Sequence, residues 1–103
     1  MPERPEITLV DDNLIKVSGC LDVASVSHYR DAGVALIDRA PSPVFDLGGA
    51  QVKGSAVIAL LIAWQRHANS VGKEISITNS PANLLEIAQA CGVRDIVPFS
   101  APA

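Results

Sequence analysis

The feature that most constrains this chain is the stretch Pro43–Trp64, where a short apolar run, a pair of glycines and a long aliphatic segment follow one another. Pro43–Leu47 is bounded by turn-forming residues and predicts a short buried strand. From Ser55 onward, small and aliphatic residues occupy nearly every side of a helix, which indicates a buried element. Ser55 stands at the helix start, where its hydroxyl is expected to cap free backbone N–H groups.

The first part of the chain predicts a hairpin followed by a helix. Ile7–Val10 and Leu14–Ser18 are β-rich runs that flank Asp11-Asp12-Asn13, and Asp and Asn tolerate the backbone of tight turns. Asp22 then stands where it would cap a helix covering Val23–Arg39.

The last part of the chain predicts one more strand and one more helix. Gly72 marks the end of the long helix, and the alternation in Glu74–Thr78 predicts a strand. Ser80 is expected as the N-cap of the next helix, with Pro81 at its first position. Val93–Phe99 forms a short apolar tail, read as an edge strand or a final turn.

This order, β-β-α-β-α-β-α, predicts an α/β fold. Strands that alternate with helices require crossover connections, so the sheet should be mixed and mostly parallel, with an antiparallel N-terminal edge and helices packed against it. With 103 residues, 49% apolar and 18% charged, the chain is expected to form a single domain over residues 1–103, with a core at about 7–99.

Composition argues against several classes of protein. The net charge is −3 and no Lys/Arg cluster appears, so nucleic acid is not an expected partner. The longest apolar run, Ala56–Trp64, has nine residues, whereas roughly 20 are needed to span a bilayer, so direct membrane insertion is not expected. Met1–Glu6 lacks a signal-peptide pattern. Cys20 and Cys91 lie in apolar surroundings and are predicted to be free buried thiols in a reducing cytoplasm.

Few side chains suggest catalysis. His28 and His67 fall on the polar sides of their helices, and no Cys/His spacing resembles a metal site. The glycine-containing loop expected over Leu47–Ser55 lacks the spacing of a phosphate-binding loop, and no base accompanies Ser55 in the sequence. We therefore expect no enzymatic activity, no cofactor and no metal, with nucleotide binding by this loop as a minor alternative.

Polar residues follow several of the predicted strands. Asp22 follows the second strand, Asp46 is expected to end the third, and Asn79-Ser80 follows the fourth. Because the carboxyl ends of parallel strands meet at one edge of a sheet, these residues should face the start of the Ser55 helix. Two interpretations remain open at this point: the residues only cap helices, or they form a surface for a partner or a modifying kinase.

Four segments, taken in order, resemble one known family. Gly19-Cys20-Leu21-Asp22 is similar to a G-x-L-D motif after the second strand, and Val44-Phe45-Asp46-Leu47 to a hydrophobic-D-L strand. Lys53-Gly54-Ser55-Ala56-Val57 occupies the place of a D-S-S/T-G phosphorylation loop, and Gly92–Pro98 resembles a closing G-[LV]-x-D-[IV]-x-P segment. Together they resemble the STAS domain family, which includes anti-sigma-factor antagonists and the cytoplasmic modules of sulfate transporters, over about Ile7–Phe99.

One departure from the motif separates two branches of that family. Gly54 stands where a phosphorylated antagonist is expected to carry aspartate, and Ile58–Gln65 looks more like the STAS subunits of Mla-type phospholipid ABC transporters in Gram-negative bacteria. That resemblance implies a non-enzymatic regulatory subunit that supports outer-membrane lipid asymmetry. It would be cytoplasmic and peripheral at the inner membrane, bound to the ATPase subunit in a complex with the permease.

The partner-binding residues expected on this basis are Lys53, Gly54, Ser55, Ala56, Asp22, Asn79 and Ser80. The alternative implied by the same family is an anti-sigma-factor antagonist, in which an anti-sigma factor kinase phosphorylates Ser55.

Overall fold

The computed structural model describes residues 6–95 and 97. Within these residues the chain forms four strands and three helices, in the predicted order β-β-α-β-α-β-α. Their bounds are β1 Glu6–Leu9, β2 Leu14–Leu21, α1 Val26–Arg39, β3 Val44–Val52, α2 Ala56–Ser70, β4 Ser76–Thr78 and α3 Ala82–Ala90.

The strands form one mixed sheet with the spatial order β1-β2-β3-β4. β1 runs antiparallel to β2, while β2, β3 and β4 are parallel to their neighbours. The predicted α/β fold, with its antiparallel N-terminal edge and mostly parallel sheet, is therefore confirmed. The hairpin turn is held by Asp11, whose carboxylate accepts hydrogen bonds from the backbone N–H groups of Asn13 (2.9 Å) and Leu14 (2.7 Å).

The core lies between one face of the sheet and the helices. Trp64 of α2 is fully buried and stacks on Phe45 of β3, with ring centroids 4.1 Å apart and planes 9° from parallel. Its Nε1 donates to the carbonyl oxygen of Arg30 in α1 at 3.4 Å. α1 crosses Trp64 at Gly33, where an added Cβ would lie only 2.2 Å from Nε1. The two long helices thus pack tightly over the centre of the sheet.

The opposite face of β1, β2 and β3 is not covered by a helix in the described part of the chain. Exposed side chains such as Thr8 and Lys16 lie there, opposite one another in the register of β1 and β2. A shallow groove of about 440 Å³ runs over this face. Its lining includes Asp46, Gly48 and Asn79.

β3 is longer than predicted, and the glycines explain the error. We expected Gly48-Gly49 to end a strand over Pro43–Leu47, but the strand continues to Val52 because β2 remains paired with it over this whole length. The pairing shifts by one residue at the glycines: Lys16 is opposite Asp46, and Ser18 is opposite Gly49. This is a β-bulge, a feature that glycine accommodates. Most of the glycine-containing loop predicted over Leu47–Ser55 is therefore strand, and only Lys53–Ser55 lie outside regular structure. Nucleotide binding by this segment stays a prediction.

The start of α1 also differs from the prediction. β2 extends to Leu21 rather than ending at Ser18, and the helix begins at Val26 rather than Val23. The residues between the strand and the helix form a turn. The first residues of the predicted helix therefore belong to this turn.

The C-terminal elements are slightly shorter than expected. β4 covers Ser76–Thr78 within the predicted Glu74–Thr78, and α3 is preceded by Pro81 as its N-cap residue instead of Ser80. Cys91 was predicted to be buried, but it is exposed because it comes after the last residue of α3. Cys20 is half-buried, and both thiols are free, as predicted.

Two glycines end helices as their positions predict. Gly72 and Gly92 have φ values of +75° and +73°, the left-handed conformation typical of helix C-termini. Beyond Gly92, turns extend through Asp95, and Val97 is buried. Ile96 and residues 98–103, which include the end of the predicted tail and of the closing motif, lie outside the described residues.

Candidate functional site

The carboxyl ends of β2 and β3 lie side by side. Leu21 is opposite Val52 in the parallel register, and the backbone N–H of Lys53 donates to the carbonyl oxygen of Leu21 at 3.0 Å. The turns that follow the two strands therefore leave the sheet at the same place. We call residues 22–25 and 53–56 together the carboxyl edge.

The first turn of the carboxyl edge is fixed by Asp22 and Ser25. One oxygen of the Asp22 carboxylate accepts hydrogen bonds from the backbone N–H groups of Ala24 and Ser25, both at 3.0 Å. The Ser25 hydroxyl donates to the carbonyl oxygen of Cys20 at 2.7 Å. Asp22 therefore caps this turn. The prediction that it caps a helix starting at Val23 is wrong, because the helix begins only at Val26.

The charges at the base of this turn influence one another. The Cys20 thiol donates to the second oxygen of Asp22 at 3.4 Å, and this hydrogen bond is the main reason that the pKa of Asp22 lies below its ordinary value. Burial raises the pKa of the Cys20 thiol, and the hydrogen bond and charge of Asp22 raise it further, whereas the nearby Lys53 ammonium opposes this. The Asp22 carboxylate is thus ionised and committed to contacts inside the chain.

The second turn of the carboxyl edge exposes its side chains. Lys53, Gly54 and Ser55 are all exposed, and Ala56 is half-buried. Gly54 has φ +90°, and apart from its two chain neighbours no described residue lies within 4 Å of the position that a Cβ would take. Another molecule could therefore approach the backbone closely at this glycine.

The predicted capping role of the Ser55 hydroxyl is wrong. Ser55 is the N-cap residue of α2 by position, but within the described chain its side chain makes no capping hydrogen bond. The cause is the backbone: φ −82° and ψ −5° are helical angles, whereas a capping side chain usually requires extended ones. The hydroxyl therefore stays exposed at the N-terminus of a buried helix.

Asn79 and Asp46 lie together on the uncovered face of the sheet. Asp46 does not end β3 as expected, and its carboxylate accepts hydrogen bonds from the Asn79 amide (3.1 Å) and from the Gly48 backbone N–H (2.8 Å). Asn79 has φ +54° and lines the groove. Ser80, half-buried, follows it. The partner-binding role expected of Asn79 and Ser80 stays a prediction.

Two residues at or near the carboxyl edge escaped the sequence reasoning. Asn83, at the start of α3, donates from its side-chain amide to the carbonyl oxygen of Val52 at 2.8 Å and so ties α3 to the end of β3. Val23 lies in the first turn with 81% of its surface exposed. The sequence offered one signal for Val23, an aliphatic residue directly after the G-x-L-D motif. The structure shows that a turn, and not a helix, carries this residue.

Among the described residues, no side chain hydrogen-bonds to the Ser55 hydroxyl, and no group of His, Cys, Asp and Glu is placed to hold a metal ion. His67 pairs with Asp38 at 2.8 Å, joining α1 and α2. None of the described helices combines the length and hydrophobicity that crossing a bilayer requires.

A mixed, mostly parallel sheet with helices packed on one face places this chain in the class of small α/β domains. A family model described as "Mlab, STAS domain" matches residues 9–98. The chain therefore belongs to this STAS domain family, and the resemblance inferred from the sequence is confirmed.

Solved structures of other proteins share the fold. A chain of the Acinetobacter MlaFEDB complex in an ATP-bound conformation is 24% identical, with a TM-score of 0.78 over 92% of this chain and 99% of that one. The anti-sigma factor antagonist SpoIIAA in its unphosphorylated form is 14% identical, with a TM-score of 0.71 over 95% and 89% of the two chains.

A further structure of the same fold is an anti-sigma-factor antagonist (STAS) domain protein from Planctomyces limnophilus. It is 19% identical, with a TM-score of 0.68 over 95% of this chain and 89% of that one. No curated protein matches the chain significantly. At these identities, the structural likeness establishes the fold.

Proposed function

We propose that this chain is a non-enzymatic accessory subunit of an Mla-type ABC transporter for phospholipids, and that it binds the ATPase subunit through the carboxyl edge. Membership of the "Mlab, STAS domain" family and the likeness to a chain of the MlaFEDB complex support this proposal. The observation that carries it is the exposed turn Lys53–Ser55, whose serine hydroxyl makes no capping hydrogen bond within the residues that the structure describes.

The carboxyl edge has the physical properties of a docking surface. Asp22 and Ser25 fix one turn by side-chain hydrogen bonds, while the buried Val57 and Ile58 hold the start of α2 under the other. A surface that is already rigid loses little conformational entropy when a partner binds it. Gly54 adds a point where the partner's backbone can come close.

In this function the chain would lie in the cytoplasm, held at the inner membrane by the transporter complex, and would need no cofactor of its own. Lys53, Gly54, Ser55, Ala56 and Asp22 would form the centre of the contact. Asn79 and Ser80 would extend it from the carboxyl edge toward the groove on the uncovered face of the sheet.

The test is to measure binding of the purified chain to the ATPase subunit of its own organism, with wild type and Ser55→Glu compared. The substitution places an unpaired carboxylate in the contact, at a cost of several kcal/mol, so affinity should fall by about 100-fold or more. The free chain should remain folded, because Ser55 is exposed and a negative charge is favourable at a helix N-terminus.

Ser42→Glu is the matched control. Ser42 is also exposed, but it precedes β3 and so lies at the amino end of that strand, opposite to Ser55. This variant should bind like wild type. Wild-type protein that does not bind the ATPase would rule out the proposed function. Equal affinities of wild type and Ser55→Glu would instead show that the ATPase does not contact the chain at Ser55.

The second candidate is an anti-sigma-factor antagonist regulated by phosphorylation of Ser55. It is favoured by the exposure of the hydroxyl at the N-terminus of α2, where a phosphate of about −1.5 to −2 charge would meet the positive end of the helix dipole. Gly54, in place of an aspartate, argues against it. Incubation with the anti-sigma factor kinase of the same organism, followed by mass spectrometry, distinguishes the two: an unmodified Ser55 removes this candidate.

A further inference from the structure

We infer that Val23 is the apolar anchor of the carboxyl edge, and that the partner receives it in an apolar pocket flanked by a carboxylate that pairs with Lys53. This inference rests on the proposed function, because it specifies the chemistry of the ATPase surface that would bind the carboxyl edge.

Val23 is the most exposed large hydrophobic side chain among the described residues. It is 81% exposed, whereas Val10 and Val71 are 50% and 45% exposed. Single exposed aliphatic residues are common on protein surfaces, so exposure alone has little meaning. The environment of Val23 supplies the second part of the argument.

The turn that carries Val23 is held by side chains on both sides of it. Asp22 accepts hydrogen bonds from the backbone N–H groups of Ala24 and Ser25, and the Ser25 hydroxyl returns to the carbonyl oxygen of Cys20. The backbone N–H of Asp22 donates to that same hydroxyl at 3.1 Å. Valine itself is β-branched and has few rotamers. The side chain is therefore presented in a fixed position, and its burial by a partner would cost little ordering entropy.

The charge of Lys53, on the other turn of the carboxyl edge, defines the rest of the partner's surface. Lys53 begins at the end of the neighbouring strand and is close enough to lower the pKa of Cys20 by its charge. Within the described chain Lys53 forms no ion pair, and the carboxylate of Asp22 is occupied by backbone N–H groups and by Cys20. A carboxylate on the partner would complement this lysine, which belongs to the same carboxyl edge as Val23.

The test compares Val23→Asp and Val23→Ala with Val71→Asp in binding to the ATPase subunit, measured by isothermal titration calorimetry. Anchor residues at interfaces typically account for a factor of about 30 or more in affinity. Val23→Asp should therefore weaken binding by about 30-fold or more, Val23→Ala by about tenfold, and Val71→Asp by less than about twofold. Lys53→Ala should make the affinity less dependent on salt concentration than that of wild type.

Circular dichroism of each variant checks that it is folded. If Val23→Asp is not folded, the affinity of Val23→Ala, which introduces no charge, tests the inference instead. Wild-type binding with unchanged affinity for the Val23 variants would overturn this inference and leave the proposed function intact. Equal losses for Val23→Asp and Val71→Asp would also overturn it. Absence of wild-type binding would instead reject the proposed function itself.

Discussion

Asp22 and Ser55 each lie between a strand and the helix that follows it, yet only Asp22 uses its side chain to hold the backbone. Asp22 precedes a turn whose N–H groups point back toward its carboxylate. Ser55 already has helical backbone angles, which keep its hydroxyl away from the N–H groups of α2. A sequence pattern does not specify the backbone angles of a single residue, so both residues were predicted to cap helices. Only Asp22 acts as a cap, and it caps a turn.

Tyr29 gives a pH-dependent prediction. Its side chain is buried, its hydroxyl donates to the carbonyl oxygen of Ser18, and burial raises the pKa of Tyr29 from 10.0 to about 12, with added contributions from Cys20 and Asp22. Between pH 10 and 12 the unfolded chain loses this proton while the folded chain keeps it. The contribution to stability is therefore complete below pH 10 and is lost as the pH rises toward 12.

Absorbance of the phenolate measures this directly, because Tyr29 is the only tyrosine in the sequence. We expect half-ionisation near pH 12 in the folded protein and near pH 10 in urea. From pH 10 to 12, wild type should lose more thermal stability than Tyr29→Phe, which cannot ionise. Phenolate formation near pH 10 in the folded protein would contradict the prediction.

Among the elements, α1 and α2 approach each other through one glycine. An added Cβ at Gly33 would lie 2.2 Å from Nε1 and 2.4 Å from Cε2 of Trp64, so the indole would have to move away from Phe45. Gly33→Ala should therefore destabilise the protein by about 1–3 kcal/mol. This would be observed even though alanine improves helix propensity by about 1 kcal/mol. Urea unfolding followed by far-UV circular dichroism measures the change.

Ala35→Gly is the control on the same helix. Ala35 is exposed, so this variant should show only the propensity loss of about 0.5–1 kcal/mol. If Gly33→Ala were more stable than wild type, the close packing of α1 on Trp64 would be wrong.

The order of the elements was predictable because each strand and helix has its own hydrophobic period. The extent of β3 was not, since Gly48-Gly49 locally resembles a turn, and only the pairing of β2 up to Leu21 keeps the strand going. The same limit applies to the candidate site. Asp22 and Ser55 were found because loops at the ends of neighbouring parallel strands must meet. The exposure of Val23 and the hydrogen bond from Asn83 to Val52 depend on contacts between elements that no local pattern encodes.

For the whole molecule, the sheet and helices should open in a definite order. β2 and β3 are paired on both sides, and α2 buries six residues, whereas α3 buries only Leu84 and Ala88 among the residues described. Local stability follows such burial. Hydrogen exchange followed by mass spectrometry should therefore show the slowest amides in β2, β3 and α2, and faster exchange in α3. Peptides from α3 that are protected as long as those from β2 would contradict this order.

The bulge in β3 has a consequence for comparing this chain with its relatives. Phe45 and Leu47 face inward before the bulge, and Ala50 and Val52 face inward after it, so the strand contains one residue more than its partner needs. Loss of one of the two glycines would leave a regular strand with the same inward residues. A relative without the bulge would be one residue shorter here, and an alignment should put its gap at Gly48-Gly49. A gap placed after Ser55 instead would pair that serine with the wrong residue of the relative, whereas a gap between the glycines and Ser55 would mispair only the residues that precede the gap.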